Sequence, residues 1–491
     1  MRRAAILVIL VGLGGCDEPA PPRAVFELRP VVAQALAEFG PEFDAAIATP
    51  AGPAPVPAAV LEAVPEDVLG LLDTLGSPRA SMREVALAEL RQRGDPVVGS
   101  LAGALADASL PDALRSAAVE ALSILDTPAS VDVLVRTLTQ SGTPWIRSQC
   151  AWRLGDSGQD RFQPRILLRL RYESDDETAI WLGSALARQG NYAGIDGMLV
   201  VLARARTPEL AQLALGELAR LAGEAGAADG AELRRQWELG ELERRRPPPA
   251  PSRELLHQAW KNIESLKEWD LRVVDDRRFM LSRSNVWVVE LLAQALHEED
   301  VYVRVHAAQC LERMGPRAAG ALGELLQALD EPRLAPAAAA ALGALREAGA
   351  CERLETCLVG RDVELACAAA RALGQIGAAR SGGPLRRAFS SGGTPDLRQA
   401  AAESLLALED PDTVEVLRFL GGRLADPLAE SAAAEAALGA WLARRAAVDA
   451  ARFAPRLQAW RDADGLPAGA IATREQAAAR LAQRAALVAG W

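Results

Sequence analysis

Aromatic residues, lysine, histidine and cysteine are all scarce: 4% of the 491 residues are Phe, Trp or Tyr, three are histidines and six are cysteines. A core without aromatic anchors must be filled by aliphatic side chains, which disfavours an all-β fold, because strands draw on aromatic and β-branched residues. Lysine occurs only at Lys261 and Lys267, so arginine supplies nearly all the positive charge. The formal net charge is -11, and no basic stripe stands out beyond one charged segment, so no nucleic-acid partner is expected. His257, His297 and His306 are scattered, and the nine-residue gap between the last two lacks the HExxH register, so no metal site is expected. There is no Gly-rich phosphate loop, GxSxG elbow or CxxC pair. The reading is of a non-enzyme with no catalytic residues and no cofactor. What is abundant is small and aliphatic. The hydrophobic half of the chain is dominated by Ala and Leu, which lose little rotamer freedom in a helix, so the expectation is all-α.

The amino terminus reads as a targeting device. Arg2 and Arg3 precede a short apolar run, Ala4 to Leu13, which is too short to span a bilayer and ends in small residues. Leu13-Gly14-Gly15-Cys16 resembles the lipobox of bacterial lipoproteins. That resemblance implies cleavage before Cys16, lipidation of its thiol, and a mature protein anchored to a membrane on its extracytoplasmic side. An ordinary secretory signal with an incidental cysteine fits the same residues. EPAPP at 18–22 and PAGPAPVP at 50–57 then read as a semi-rigid spacer.

A period near 32 residues fills most of the remainder. Leu90, Leu122, Leu154, Leu186 and Leu218 recur at intervals of 32, and Leu311, Leu342, Leu373, Leu405 and Leu438 form a second series at 31 to 33. Pro78, Pro111, Pro144, Pro208, Pro332, Pro395 and Pro427 precede their leucines by 10 to 12 residues, several after Ser, Thr or Asp, a pattern that starts helices. Arg83, Arg115, Arg147, Arg304 and Arg398 each lie seven residues before a ladder leucine, on the same helix face. Upstream of each such helix is a Leu-rich segment of helical spacing, so each period holds two helices, and hairpins of this kind must stack to bury both faces. Pro144-Trp145-Ile146-Arg147 followed by Ala151, Leu154 and Gly155 resembles HEAT-like repeats of the phycobilisome-lyase-like type. The resemblance implies an α-α superhelix, a HEAT-like solenoid in two arrays. It also implies an acidic partner for the arginine near the hairpin, for which Asp107 and Asp300 are candidates opposite Arg115 and Arg304.

The predicted organisation is a signal peptide over 1–15, a tether and Pro/Ala-rich linker over 16–62, an N-terminal array over 63–222, a charged insert over 223–283, a C-terminal array over 284–443 and a helical cap over 444–491. The 93 residues between Leu218 and Leu311 also equal three periods of 31, which leaves decayed repeats as the alternative to an insert. The insert holds Trp237, Trp260 and Trp269, has a partly strand-like pattern over Leu271 to Phe279, and concentrates residue types that dominate interfaces. Trp260, Trp269, Arg272, Arg277 and Arg278 are therefore the candidate partner-binding residues; the same side chains also suit a charged spacer packed on the neighbouring repeat. With Cys16 committed to lipid, five cysteines remain, an odd number, so no disulfide framework is indicated, although a turn at Gly360 would bring Cys357 and Cys367 near each other. The functional expectation is a membrane-tethered scaffold binding a protein partner in the cell envelope. The alternative is an enzyme or enzyme subunit of the bilin-lyase-like type.

Overall fold

A computed structural model describes residues 64–491 apart from 158, 206, 227–228, 246, 392, 409–412, 425–430, 463–473 and 490–491. Cys16, the signal segment and the spacer lie outside the described residues, as does Pro427. Among the described residues there is no strand, and the chain is a succession of helical hairpins.

The first five hairpins pair α1 (Glu66–Leu75) with α2 (Ala80–Arg93), α3 (Val98–Ala106) with α4 (Asp112–Leu125), α5 (Pro128–Gln140) with α6 (Pro144–Asp156), α7 (Gln163–Tyr172) with α8 (Asp176–Arg188), and α9 (Gly194–Arg204) with α10 (Pro208–Ala225). Two short helices, α11 (Gly230–Glu238) and α12 (Glu241–Arg245), then lead into a proline-rich stretch with no helix over 247–252. The chain resumes with α13 (Arg253–Glu264) and α14 (Leu271–Ser282), followed by α15 (Val288–Ala295) and α16 (Val301–Met314). Three more hairpins follow: α17 (Leu322–Ala328) with α18 (Ala335–Leu345), α19 (Cys351–Cys357) with α20 (Val363–Ile376), and α21 (Gly382–Ser391) with α22 (Pro395–Ala407). The last elements are α23 (Thr413–Leu424), α24 (Ser431–Val448), α25 (Ala450–Asp462) and α26 (Arg474–Ala489).

Local chemistry starts these helices much as the sequence predicts. Pro128, Pro144, Pro208 and Pro395 occupy the first helical position. The side chains of Thr127, Asp175, Thr207, Asp300, Asp362 and Thr394 accept from first-turn amides that would otherwise lack a partner. Pro78 and Pro332 instead fall in the turns, two and three residues before their helices begin.

All ten ladder leucines are buried, none more than 2% exposed. Second helices stack directly on one another, α4 on α6 on α8 and α16 on α18 on α20 on α22. Small residues permit the approach: a Cβ on Gly155 would lie 2.6 Å from the Ala185 Cα, and one on Gly343 would lie 2.6 Å from the Ala372 Cα. Leu154, beside Gly155, fills the space between neighbouring hairpins, and its truncation to alanine is expected to cost about 2–5 kcal/mol. Chemical denaturation of the full chain measures this; a midpoint unchanged from wild type would show that the ladder is not core.

The apolar interior falls into two clusters, one running from Val68 to Leu242 and the other from Leu256 to Val488. The segment read as partly strand-like is helical. Asp270 caps α14 by accepting from the Arg272 amide, and Val274, Met280 and Leu281 are buried at helical spacing. The adjacent Val273 and Val274 produce the strand-like look, but it is the spacing of the buried face that the fold follows. α14 stacks on α16 as α16 stacks on α18, so the helices of the charged segment divide between the two cores. Cys357 and Cys367 are not joined in a disulfide.

Candidate interaction surface

The arginine series performs one structural task throughout. Arg83, Arg115, Arg147, Arg304 and Arg398 each donate to a backbone carbonyl at or just beyond the end of the preceding first helix, namely Ser77, Leu105, Ser141, Glu298 and Phe389, at 2.6–3.3 Å. A cation there satisfies orphan carbonyls and meets the negative end of the helix dipole. Neither Asp107 nor Asp300 hydrogen-bonds its arginine: Asp107 accepts from Ser109, which together with the nearby Arg115 charge lowers its carboxyl pKa, and Asp300 caps α16. The second contact instead comes from the next hairpin. Arg115 donates to the Thr143 hydroxyl, Arg147 makes two bonds to Glu173 at 2.9 and 2.7 Å, and Arg304 pairs with Glu331. Ala179, Ala211, Ala335 and Ala366 occupy the equivalent place in other copies, so the ladder is discontinuous.

A second polar assembly joins the two cores. Arg317, which follows α16, sends its guanidinium back to Glu243 of α12, with Nε donating at 3.0 Å and Nη2 at 2.6 Å, and Nη2 also donates to the Ser284 carbonyl at 2.6 Å. Both side chains are essentially excluded from solvent. The Trp237 ring of α11 carries the Arg317 and Arg283 guanidiniums 4.8 and 5.3 Å from its centre. Around this joint Arg283 pairs with Asp196, Arg171 pairs with Asp275 and Asp276, and the Ser252 amide donates to Asp160. Each of these contacts ties a group before the proline-rich stretch to one after it or within it.

These assemblies are inward and occupied, so the surface open to a partner lies elsewhere. Of the five candidates, Trp269 and Arg272 come together at the α13–α14 turn, where six consecutive residues, Lys267-Glu268-Trp269-Asp270-Leu271-Arg272, are exposed. Trp269 is 94% exposed and Leu271 80%, values far from those of core residues. Trp260 is partly buried against the second core. Arg277 and Arg278 are half-buried along α14, and burial lowers both guanidinium pKa values despite nearby carboxylates, which for Arg277 include Glu268 of the turn. Tyr302, 59% exposed in the first turn of α16, belongs to the same edge and was not singled out in the sequence; its place beside buried Val303 gives no local cue. Among the described residues no group of three or more His, Cys, Asp or Glu could hold a metal, and no helix is long and apolar enough to cross a membrane.

Stacked antiparallel helix pairs with a leucine ladder define an α-α superhelix. Residues 68–155 and 289–363 match the family described as HEAT repeats, and residues 365–391 match the PBS lyase HEAT-like repeat. Those segments carry HEAT-like repeats, and the fold is an α-α superhelix of the HEAT-like kind, an architecture suited to protein interaction or scaffolding. No curated protein matches it. Among solved structures it is similar to human deoxyhypusine hydroxylase in complex with glycerol, at 17% identity over 66% of this chain and 98% of that one, with a TM-score of 0.22. Yeast importin-beta (Kap95p) is similar at 13% identity over 86% of this chain and 67% of that one, with a TM-score of 0.31. At these TM-scores neither likeness bears on function.

Proposed function

We propose that this chain is a membrane-tethered, extracytoplasmic HEAT-repeat scaffold that binds a protein partner in the cell envelope, with no catalytic role of its own. The observation that carries the binding half is the exposed turn 267–272, which presents Trp269 and Leu271 to solvent from a rigid helical stack. An exposed tryptophan on an ordered support loses little entropy on docking, and tryptophan and arginine are the residue types that anchor interfaces. The tethering half is supported by Leu13-Gly14-Gly15-Cys16 behind the short apolar run. An anchor on Cys16 would hold the helical stack at a membrane surface by way of the spacer.

The tether is tested by Cys16→Ser in cells. The wild-type protein is expected to partition into detergent phase and incorporate labelled fatty acid, and the variant to do neither. Fatty-acid incorporation by the variant would remove the lipoprotein assignment. For the binding half, a photo-cross-linking residue at position 269 of the anchored protein is expected to capture a discrete envelope protein, whereas the same residue at the exposed Val448 is not. The match to a PBS lyase HEAT-like repeat over 365–391 keeps the enzyme-subunit reading in view. A bilin absorbance shift on mixing with the purified protein would favour it over the scaffold.

A further inference from the structure

Four consecutive hairpin turns in the second array share a pattern that the fold does not require. Each of the turns leading into α14, α16, α18 and α20 exposes an apolar side chain: Trp269 and Leu271, then Tyr302, then Pro332, then Val359 and Val363. The four helices stack side by side in sequence order with first helices running back between them, so their amino-terminal ends lie along one edge. Carboxylates accompany the apolar residues. Residues 267–272, 298–302, 330–333 and 359–364 together hold nine carboxylates, against the four cations Lys267, Arg272, Arg333 and Arg361 and the two that reach in from outside, Arg304 to Glu331 and Arg353 to Asp330, which leaves carboxylates in excess by three. Helix capping accounts for Asp270, Asp300 and Asp362, whose side chains accept from first-turn amides. It does not account for Glu268 and Glu299, which are exposed ahead of the caps, or for the exposed valines. Exposed prolines mark other turns too, at Pro78, Pro111, Pro208 and Pro395, but this run is set apart by Trp269, Leu271 and Val359, each at least 80% exposed, whereas in the first array Tyr172 is tied to Asp276 through its hydroxyl.

We infer that this edge is a docking strip for an extended, cationic protein segment with apolar residues at every third position. The inference rests on the protein-binding reading above and adds the chemistry of the partner. Neighbouring stacked helices are about 10 Å apart, and a segment in the polyproline II conformation advances about 3.1 Å per residue with three residues per turn, so side chains three apart share a face and meet successive turns. Four turns then accommodate about ten residues. Apolar positions of the segment cover Trp269, Tyr302, Pro332 and Val363, and the intervening arginines or lysines face the surplus carboxylates. Charge complementarity favours a basic segment over a second copy of this chain, whose own charge is -11, and over an anionic lipid surface.

The test uses the full chain and a labelled twelve-residue peptide with leucine at every third position and arginine or lysine elsewhere, read by fluorescence anisotropy. A peptide with glutamate in place of the cations is the control. The basic peptide is expected to bind, more weakly as salt is raised. Affinity is expected to fall about tenfold or more in Trp269→Ser/Tyr302→Ser and again in Glu299→Gln/Glu364→Gln, and to be unchanged in Val448→Ser, whose exposed side chain lies off the strip. Unchanged circular dichroism keeps each variant informative. Absence of binding, equal binding of the acidic peptide, or indifference to the strip variants would overturn the inference. So would self-association of the wild type that the strip variants abolish, which would assign the edge to a second copy. Cross-links from position 269 to an envelope protein without peptide binding would remove this inference and leave the protein-binding reading standing; loss of both would remove both.

Discussion

Arg317→Ala is expected to destabilise the protein by about 3–5 kcal/mol, because it leaves the Glu243 carboxylate buried without its counter-charge. The Glu243 side chain is 1% exposed, and Arg317 supplies hydrogen bonds to it from two nitrogens, so truncation leaves a desolvated carboxylate without those donors. The loss compounds at Trp237, whose ring would keep Arg283 alone. Because Trp237 belongs to the first core and Arg317 follows a helix of the second, the damage should appear at the joint before it appears in either core. Hydrogen exchange localises it: faster exchange is expected over α11 and α12, with α18 and α20 protected as in the wild type. A second variant separates charge from packing. Arg317→Met/Glu243→Leu exchanges a desolvated pair for apolar side chains, a change that is often neutral in stability. Equal loss in the single and double variants would show that the joint depends on shape and not on the ion pair, and no loss in Arg317→Ala would show that the two cores do not lean on this contact.

The contrast between the ladder and the joint explains how far the sequence could be read. Leucines at a fixed interval reveal stacking because every copy meets the same neighbour in the same way, and all ten are buried as their spacing implied. The arginine series was legible as a series, yet its partners were not. Glu173 and Glu331 lie 26 and 27 residues beyond Arg147 and Arg304, in the next hairpin, whereas the carboxylates sought, Asp107 and Asp300, were local to the same hairpin. Arg317 and Glu243 are 74 residues apart and repeat nowhere, so no periodicity could connect them. Trp269 stood out as off the period, and its exposure follows from flanking Glu268 and Asp270, which cannot be buried unpaired. Trp260 and Trp269 are of one residue type in one charged segment, but Trp260 lies on the packed face of α13 whereas Trp269 falls in the turn between α13 and α14. Arg277 and Arg278 were singled out by residue type within the off-period segment, and their half-burial along α14 depends on helix packing that residue type does not reveal.

Acid is expected to weaken the first array through Glu173, and Glu173→Gln to remove that dependence. Burial pushes the Glu173 carboxyl up, but hydrogen bonds from Arg147, from the Asp175 amide and from Arg169 outweigh it, and the pKa lies below the ordinary glutamate value. A carboxylate depressed in the folded state contributes stability above its unfolded pKa and surrenders it as pH falls through the folded one. The window for the wild type therefore opens near the ordinary glutamate pKa of about 4.3 and extends downward. Its consequences spread because Glu173 gathers several elements. It accepts two bonds from Arg147 of the preceding hairpin and one each from the Ser174 and Asp175 amides, in the turn where Asp175 caps α8. Protonation removes the counter-charge from an Arg147 side chain that is 5% exposed. Glu173→Ala does the same at every pH and is expected to cost about 3–5 kcal/mol. Glu173→Gln keeps the shape, so its denaturation midpoint at neutral pH should fall below that of the wild type while changing less between pH 6 and pH 3. Identical pH profiles for wild type and Glu173→Gln would show that acid acts through other carboxylates, and a neutral-pH cost near zero for Glu173→Ala would show that Arg147 finds water or the Ser141 carbonyl sufficient.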